Sequence, residues 1–236
     1  MITFLRLPRR GAVAATLTTA LAAAAALLSP ATASAAGPGA ARTAGQTNTL
    51  PVRDALAQLP VTAEDRTGYQ RTAFRHWIDA DKDGCDTRKE VLKAEALVAP
   101  EQGPGCALTG GEWYSPYDDT YFNDASRLDI DHLVPLAEAW DSGASSWTAT
   151  ERQAYANDLG DARDLIAVSA KSNRSKADQD PSTWLPPAAG YRCTYVTDWI
   201  ADKTRWGLSI DPVEQAALEQ NLAACPDSPI TVTTAR

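Results

Sequence analysis

One long apolar run, followed by short helical stripes and turn-rich breaks, is the pattern along this chain. The run, Ala12 to Leu28, contains only Ala, Leu, Val and Thr. Arg6, Arg9 and Arg10 precede it, and Ala33-Ser34-Ala35 follows as a small-residue cleavage site. This order predicts a secretory signal peptide over residues 1–35. A membrane anchor is the weaker reading, since the run falls short of the ~20 residues a span needs. Residues 36–50 carry no periodic apolar pattern and predict a flexible leader.

From Pro51 onward the spacing predicts one compact domain, 51–236. Tyr69, Ala73, Phe74 and Trp77 form a helical stripe within Thr62–Ile78, opened by Thr62 and Asp65 as a capping box. A second helix is expected from Thr87, carrying Val91, Leu92, Ala94 and Leu97. Residues 100–126 are rich in Gly, Pro, Asp and aromatics, which suggests short strands and turns. Leu128 to His132 alternates as a short strand, and Leu165 to Val168 is a second candidate. Helices are expected over Pro135–Trp140, Thr148–Leu159, Ala170–Ala177, 192–206 and 212–224. The last has the firmest start signal, with Asp211 as N-cap, Pro212 at N1 and Glu214 at N3. The expected class is α+β: a mostly helical single domain around a small strand pair. No internal repeat and no second hydrophobic span is present.

Composition narrows the chemistry. The 236 residues are 44% hydrophobic and 22% charged, enough for a packed core. Two His exclude any site needing three imidazoles, and the four Cys form no CxxC pair, against a zinc ribbon or a thioredoxin-like redox site. The formal charge of −8 argues against a protein that coats nucleic acid non-specifically. Loss of residues 1–35 removes three Arg and no acid, taking that charge to −11. In an exported chain Cys85, Cys106, Cys193 and Cys225 are expected to pair. Of three possible pairings the local one, Cys85–Cys106 and Cys193–Cys225, is the expectation, each loop worth about 3 kcal/mol.

The chemistry concentrates in Asp129-Ile130-Asp131-His132-Leu133-Val134-Pro135 and in Asp164 to Asp178, which contains Asn173-Arg174-Ser175-Lys176. Together these segments resemble an HNH (His-Me finger) endonuclease: DH-x-x-P, a strand, then N-x-x-K opening a helix. The resemblance is closest to secreted actinobacterial HNH proteins related to the C-terminal domain of GmrSD-type restriction endonucleases, from about Trp77 to the last helix. It implies a ββα-metal core at about 127–178. In it His132 is the general base, Asp131 and Asn173 hold one Mg²⁺ or Mn²⁺, and Lys176 is the motif lysine. Asp164 stands where the family has the Asn that braces the His-bearing loop; it accepts hydrogen bonds but cannot donate as an amide does. The chemistry suits these residue types. An imidazole takes a proton from water at neutral pH, and a hard ion needs only a few protein oxygens.

Other residues carry two readings. Arg163, Lys171, Arg174 and Lys176 are either a solvated face or phosphate-binding groups, with Lys203 and Arg205 as weaker candidates. Trp140, Trp184, Trp199 and Trp206 read as core anchors, and His76 as a helix-surface residue. Asp79, Asp81, Asp83, Gly84 and Glu90 follow the spacing of an EF-hand loop, a candidate structural Ca²⁺ site. Against it stand Asp86, where an apolar residue belongs, and the absence of a partner hand; the bland reading is an Asp-rich turn. The expected function is a secreted, metal-dependent endonuclease acting on DNA, with RNA as a further substrate. It would be a monomer without membrane association after signal cleavage. The alternative is a non-catalytic secreted calcium-binding or envelope-interaction protein with an HNH-like core.

Overall fold

The computed structural model describes residues 43–236. The expected signal peptide lies outside the described residues, as does most of the expected leader.

The leader's end is not element-free. Thr47–Pro51 forms strand β1, paired antiparallel with β8, Pro229–Thr233, in the register Thr47↔Thr233 to Pro51↔Pro229. Outward-facing hydroxyls pair across it, Thr47 with Thr233 and Thr49 with Thr231, each at 2.8 Å. Ile230 and Val232 turn inward. Helix α1, Val52–Gln58, follows directly and buries Val52, Ala55 and Leu56.

The helix expected over Thr62–Ile78 is absent: only a 3-10 turn, Arg71–Ala73, forms there. Gly68 and Trp77 have positive φ, 76° and 59°, which interrupts any helix. The stripe is real but each ring packs separately. Tyr69 and Phe74 meet Trp140 edge-on at 6.0 and 6.3 Å, while Trp77 reaches His132.

Helix α2, Thr87–Ala94, starts where expected, capped by the Asp86 carboxylate on the Lys89 N–H (3.0 Å). Two small antiparallel pairs come next. They are β2 (Glu101–Gly103) with β3 (Ala107–Thr109), and β4 (Trp113–Ser115) with β5 (Thr120–Phe122). Strand β6 is Leu128–His132; α3 is Leu136–Asp141; α4 is Ala149–Tyr155, opened by a Thr148–Glu151 capping box. Strand β7, Leu165–Ser169, pairs antiparallel with β6, and α5, Ala170–Lys176, follows without a break. Helices α6 (Arg192–Trp206) and α7 (Pro212–Leu222) complete the fold, α7 with the expected Asp211–Glu214 capping box.

Helices, 3-10 turns included, hold 39% of the described residues. The mixed α and β class therefore stands, but "mostly helical" overstates it: four two-stranded sheets punctuate the described residues. Two disulfides staple it with the local pairing, Cys85–Cys106 and Cys193–Cys225. The larger apolar cluster gathers α1, α3, α6, α7 and β8 around Tyr195, Trp199 and Ile200. The smaller one joins α2 (Val91, Leu92) with Trp113, Phe122, Leu128, Ile130, Leu165 and Ala167. The β6–β7 pair lies where the two clusters meet.

Candidate active site

Alternation along β6 places its functional residues on two faces. Leu128, Ile130 and His132 share one face with Leu165 and Ala167, while Asp129 and Asp131 lie opposite Val168 and Ile166 on the other. His132 ends the strand, so both Asp131 and His132 reach a cleft of about 250 Å³ at that end. Asn173, Arg174 and Asp178 line the same cleft from α5 and beyond, as does Arg71. A larger cavity of about 620 Å³, between the 78–90 loop and α4, contains none of these residues.

His132 is buried and its ring is fixed on two sides. Nε2 lies 3.0 Å from the Ala156 carbonyl. A carbonyl only accepts, so Nε2 carries the hydrogen in the neutral ring and Nδ1 keeps the lone pair. Trp77 stacks on the ring at 5.2 Å, with planes 30° apart. Burial drives the imidazole pKa down to about 3, and the charges of Arg71, His76 and Lys176 push the same way; the Ala156 bond pulls it up. The ring is thus held deprotonated. His76 is not on a helix: its ring stands 6.3 Å from His132, with Nδ1 3.0 Å from the Phe74 carbonyl.

Asp131 is buried opposite Lys176, whose Nζ lies 2.9 Å from Oδ1 and 2.7 Å from Oδ2. Tyr117 donates its hydroxyl to Oδ2 at 2.6 Å, and Lys176 also donates to the His132 carbonyl at 3.0 Å. Burial raises the Asp131 carboxyl and lowers the Lys176 ammonium, while each charge opposes the other's shift. Lys176 is 0% exposed, so it is no phosphate ligand. It ties α5 to the end of β6 and neutralises a buried carboxylate, which would be costly unpaired.

Few oxygens in the cleft are left that could take a hard divalent ion. A carboxylate has about four lone-pair sites, and Lys176 and Tyr117 take three of those on Asp131. Asn173 donates through Nδ2 to Asp129 (3.4 Å), which leaves its carbonyl oxygen as the second donor. Two protein oxygens are few, the arrangement expected of an ion that keeps its waters.

Asp164 is not in the cleft. It is buried among Arg205 (Nε at 3.1 Å), Trp206 and Asp158, and burial with the nearby Asp202 and Asp158 charges raises its carboxyl far above the usual range. Its backbone, not its side chain, braces the His-bearing loop: Leu133 N–H donates to the Asp164 carbonyl at 3.0 Å. Asp202 accepts from Val134 N–H at 3.3 Å, and Tyr155 donates its hydroxyl to the Val134 carbonyl. Neither Asp202 nor Tyr155 was readable as a brace, because both come from distant helices.

The expected phosphate-binding group also divides. Arg163 is held bidentate by Asp161 and donates to the Thr231 carbonyl at 2.9 Å. Lys203 is buried between Glu138 and Glu214, both at 2.7 Å, and Arg205 is bound to Asp158 and Asp164. Lys171 and Arg174 remain exposed; Arg174 makes only a 3.4 Å pair with Asp129. Arg71, which the sequence did not single out, joins Arg174 in the cleft.

In the 79–90 loop, Asp79, Asp81 and Asp83 bring carboxylate oxygens within 4.8 Å of one another, all exposed. Glu90 groups instead with Asp83 and Cys85, and pairs with Lys93 at 3.3 Å. The carboxylates accept from loop N–H groups: Asp79 from Gly84, Asp81 from Asp83, Asp83 from Cys85. No helix enters this loop among the described residues; α2 alone leaves it.

The family described as GmrSD restriction endonucleases, C-terminal domain, matches residues 101–220. An uncharacterized secreted protein of Arthroderma benhamiae is 45% identical over 158 residues, 67% of this chain and 76% of that protein. That relative lends no support to an actinobacterial origin. No solved structure matches the chain.

Proposed function

The chain belongs to the family of GmrSD restriction endonuclease C-terminal domains, and on that premise we propose that it is a secreted, metal-dependent HNH endonuclease hydrolysing phosphodiester bonds of DNA. RNA is its second candidate substrate. The observation that carries this reading is the pinned tautomer of His132 in a cleft shared with Asp131, Asn173, Arg71 and Arg174. The strand pair β6–β7 followed at once by α5 fits a ββα core over 127–178. Secretion is proposed from the expected signal peptide, the two disulfides and the secreted relative. No helix of the described residues is long and apolar enough to cross a membrane.

In this reading His132 Nδ1 takes the proton of the attacking water. Burial is the main cause of its low proton affinity; a phosphate on Arg71 relieves one of the smaller charges that depress the imidazole. Arg71 and Arg174 orient the phosphate, and Lys176 holds the Asp131 carboxylate and the His132 carbonyl in place. Asp131 and Asn173 would hold Mg²⁺ or Mn²⁺, which when bound neutralises the phosphate and the leaving alkoxide.

Plasmid nicking by purified protein lacking residues 1–35 tests this. Mg²⁺ or Mn²⁺ supports nicking, EDTA abolishes it, and His132→Ala loses about 10²-fold or more, the range for a general base. Activity that survives His132→Ala overturns the assignment of the base. Absence of cleavage with every divalent ion favours the non-catalytic binding reading.

A further inference from the structure

Helix α3 begins at the cleft with Leu136 and ends at Asp141. Glu138 and Asp141 stand three residues apart on its buried side, facing the extended segment that carries Glu64. One carboxylate oxygen from each of Glu64, Glu138 and Asp141 lies within 4.8 Å of the other two. Asp180 and Asp211 hold the same 4.8 Å relation to Glu64. Four carboxylates therefore converge on the exposed Glu64 side chain.

The neighbouring cations do not balance them. Lys203 serves Glu138 and Glu214 together and also donates to Ser142 Oγ and the Ser209 carbonyl. Arg66 reaches Asp141 through Oδ2 alone, at 2.5 Å. Asp141 is 7% exposed, and its Oδ1 is buried without a hydrogen-bond partner. A buried carboxylate oxygen with no donor carries the full desolvation penalty, so it calls for a positive group that the side chains do not supply.

We propose that Glu64, Glu138 and Asp141 form a second cation site, apart from the His132 cleft, for a hard divalent ion of the calcium class. The donors are three carboxylate oxygens, one on an exposed side chain and two on buried ones. Three carboxylates on separate parts of the chain suit Ca²⁺, which tolerates irregular oxygen coordination, better than Mg²⁺, which demands a near-ideal octahedron. The ion would also join two parts of the fold, the segment before the 3-10 turn and the end of α3. A proton is the competing occupant: burial together with the Glu138, Asp211 and Asp141 charges raises the Glu64 carboxyl to about 8.

Calorimetric titration of chelator-stripped protein with Ca²⁺ at pH 7.5 separates these occupants. Wild type is expected to bind one Ca²⁺ equivalent that Glu64→Gln loses or weakens at least tenfold. Asp81→Asn, which alters only the 79–83 loop, is expected to keep it, and Mg²⁺ should bind the site at least tenfold more weakly. Glu64 is a surface residue, and circular dichroism of metal-free Glu64→Gln provides the check on folding. Identical isotherms for wild type and Glu64→Gln overturn the site, as does a Ca²⁺ equivalent lost only in Asp81→Asn. So does metal-free stability that rises on acidification from pH 8 to 6 in wild type, not in Glu64→Gln, with no Ca²⁺ response in either. None of these readouts depends on cleavage of nucleic acid.

Discussion

His132 is a residue whose protonation couples directly to folding. Its pKa in the folded chain is about 3, whereas an unfolded His titrates near 6.5. Above about pH 6.5 both states hold the ring neutral, so the penalty is absent. Between 6.5 and 3 the unfolded state takes up a proton that the folded state refuses, and stability falls by about 1.4 kcal/mol per pH unit. Urea unfolding of wild type and His132→Gln at pH 7, 6 and 5 isolates the effect. The stability difference between them should shrink on acidification at about that slope below 6.5. Parallel pH profiles would show that the ring is not held neutral by burial. The same measurement bears on chemistry, because a base held neutral at pH 5 gives a nuclease no acidic limb near 6.5 until substrate raises its pKa.

At the scale of elements, local signals were legible and long-range ones were not. The alternation of Leu128–His132, the Asp211–Glu214 box of α7 and the helix over 170–176 depend on neighbours in sequence, and each forms as expected. Strand β1 depends on a partner almost the whole chain away, and TNTLP shows no alternation of its own. The Tyr69–Trp77 stripe misled because burial sets the period, while Gly68 and Trp77 at positive φ set the backbone. In the candidate site the motif residues His132, Asp131 and Asn173 were legible. Tyr117, Trp77, Ala156 and Arg71 were not, since only the tertiary fold brings them there. Disulfides belong to this scale as well. Cys193 sits in the first turn of α6 and Cys225 just past α7, so their bond closes the helix pair with a separation of 32 residues. Loop-closure entropy makes that worth about 3–4 kcal/mol. Cys193→Ser with Cys225→Ser should therefore lower the unfolding free energy by about that amount, with the m-value rising as the denatured chain expands. A loss below about 1 kcal/mol would mean that packing of α6 on α7 already restrains the chain.

For the whole molecule the question is how a chain of formal charge −8 holds a polyanion. Most candidate cations are already spent internally: Lys176 on Asp131, Lys203 on Glu138 and Glu214, Arg205 on Asp158 and Asp164, Arg163 on Asp161. Among the described residues, Arg71 and Arg174 line the cleft and Lys171 stands exposed on α5, which leaves these three to meet phosphates; Arg174 is 75% exposed and its pair with Asp129 spans 3.4 Å. With about three phosphate contacts, counterion release gives a slope of about −2.7 for log K against log salt, or about 40-fold weaker binding between 50 and 200 mM salt. Fluorescence anisotropy of a labelled duplex with His132→Ala protein at fixed Mg²⁺ reads this slope without cleavage. Adding Arg174→Gln should reduce it by about 0.9, the share of one contact, while adding Arg163→Gln should leave it unchanged. A slope steeper than about −6, which needs roughly seven contacts, would place nucleic acid on a surface larger than this cleft. Equal effects of the two substitutions would remove Arg174 from the interface. A shallow slope ties affinity to the few groups around His132 rather than to a basic face, and acidic surface elsewhere repels duplex bound in any other orientation.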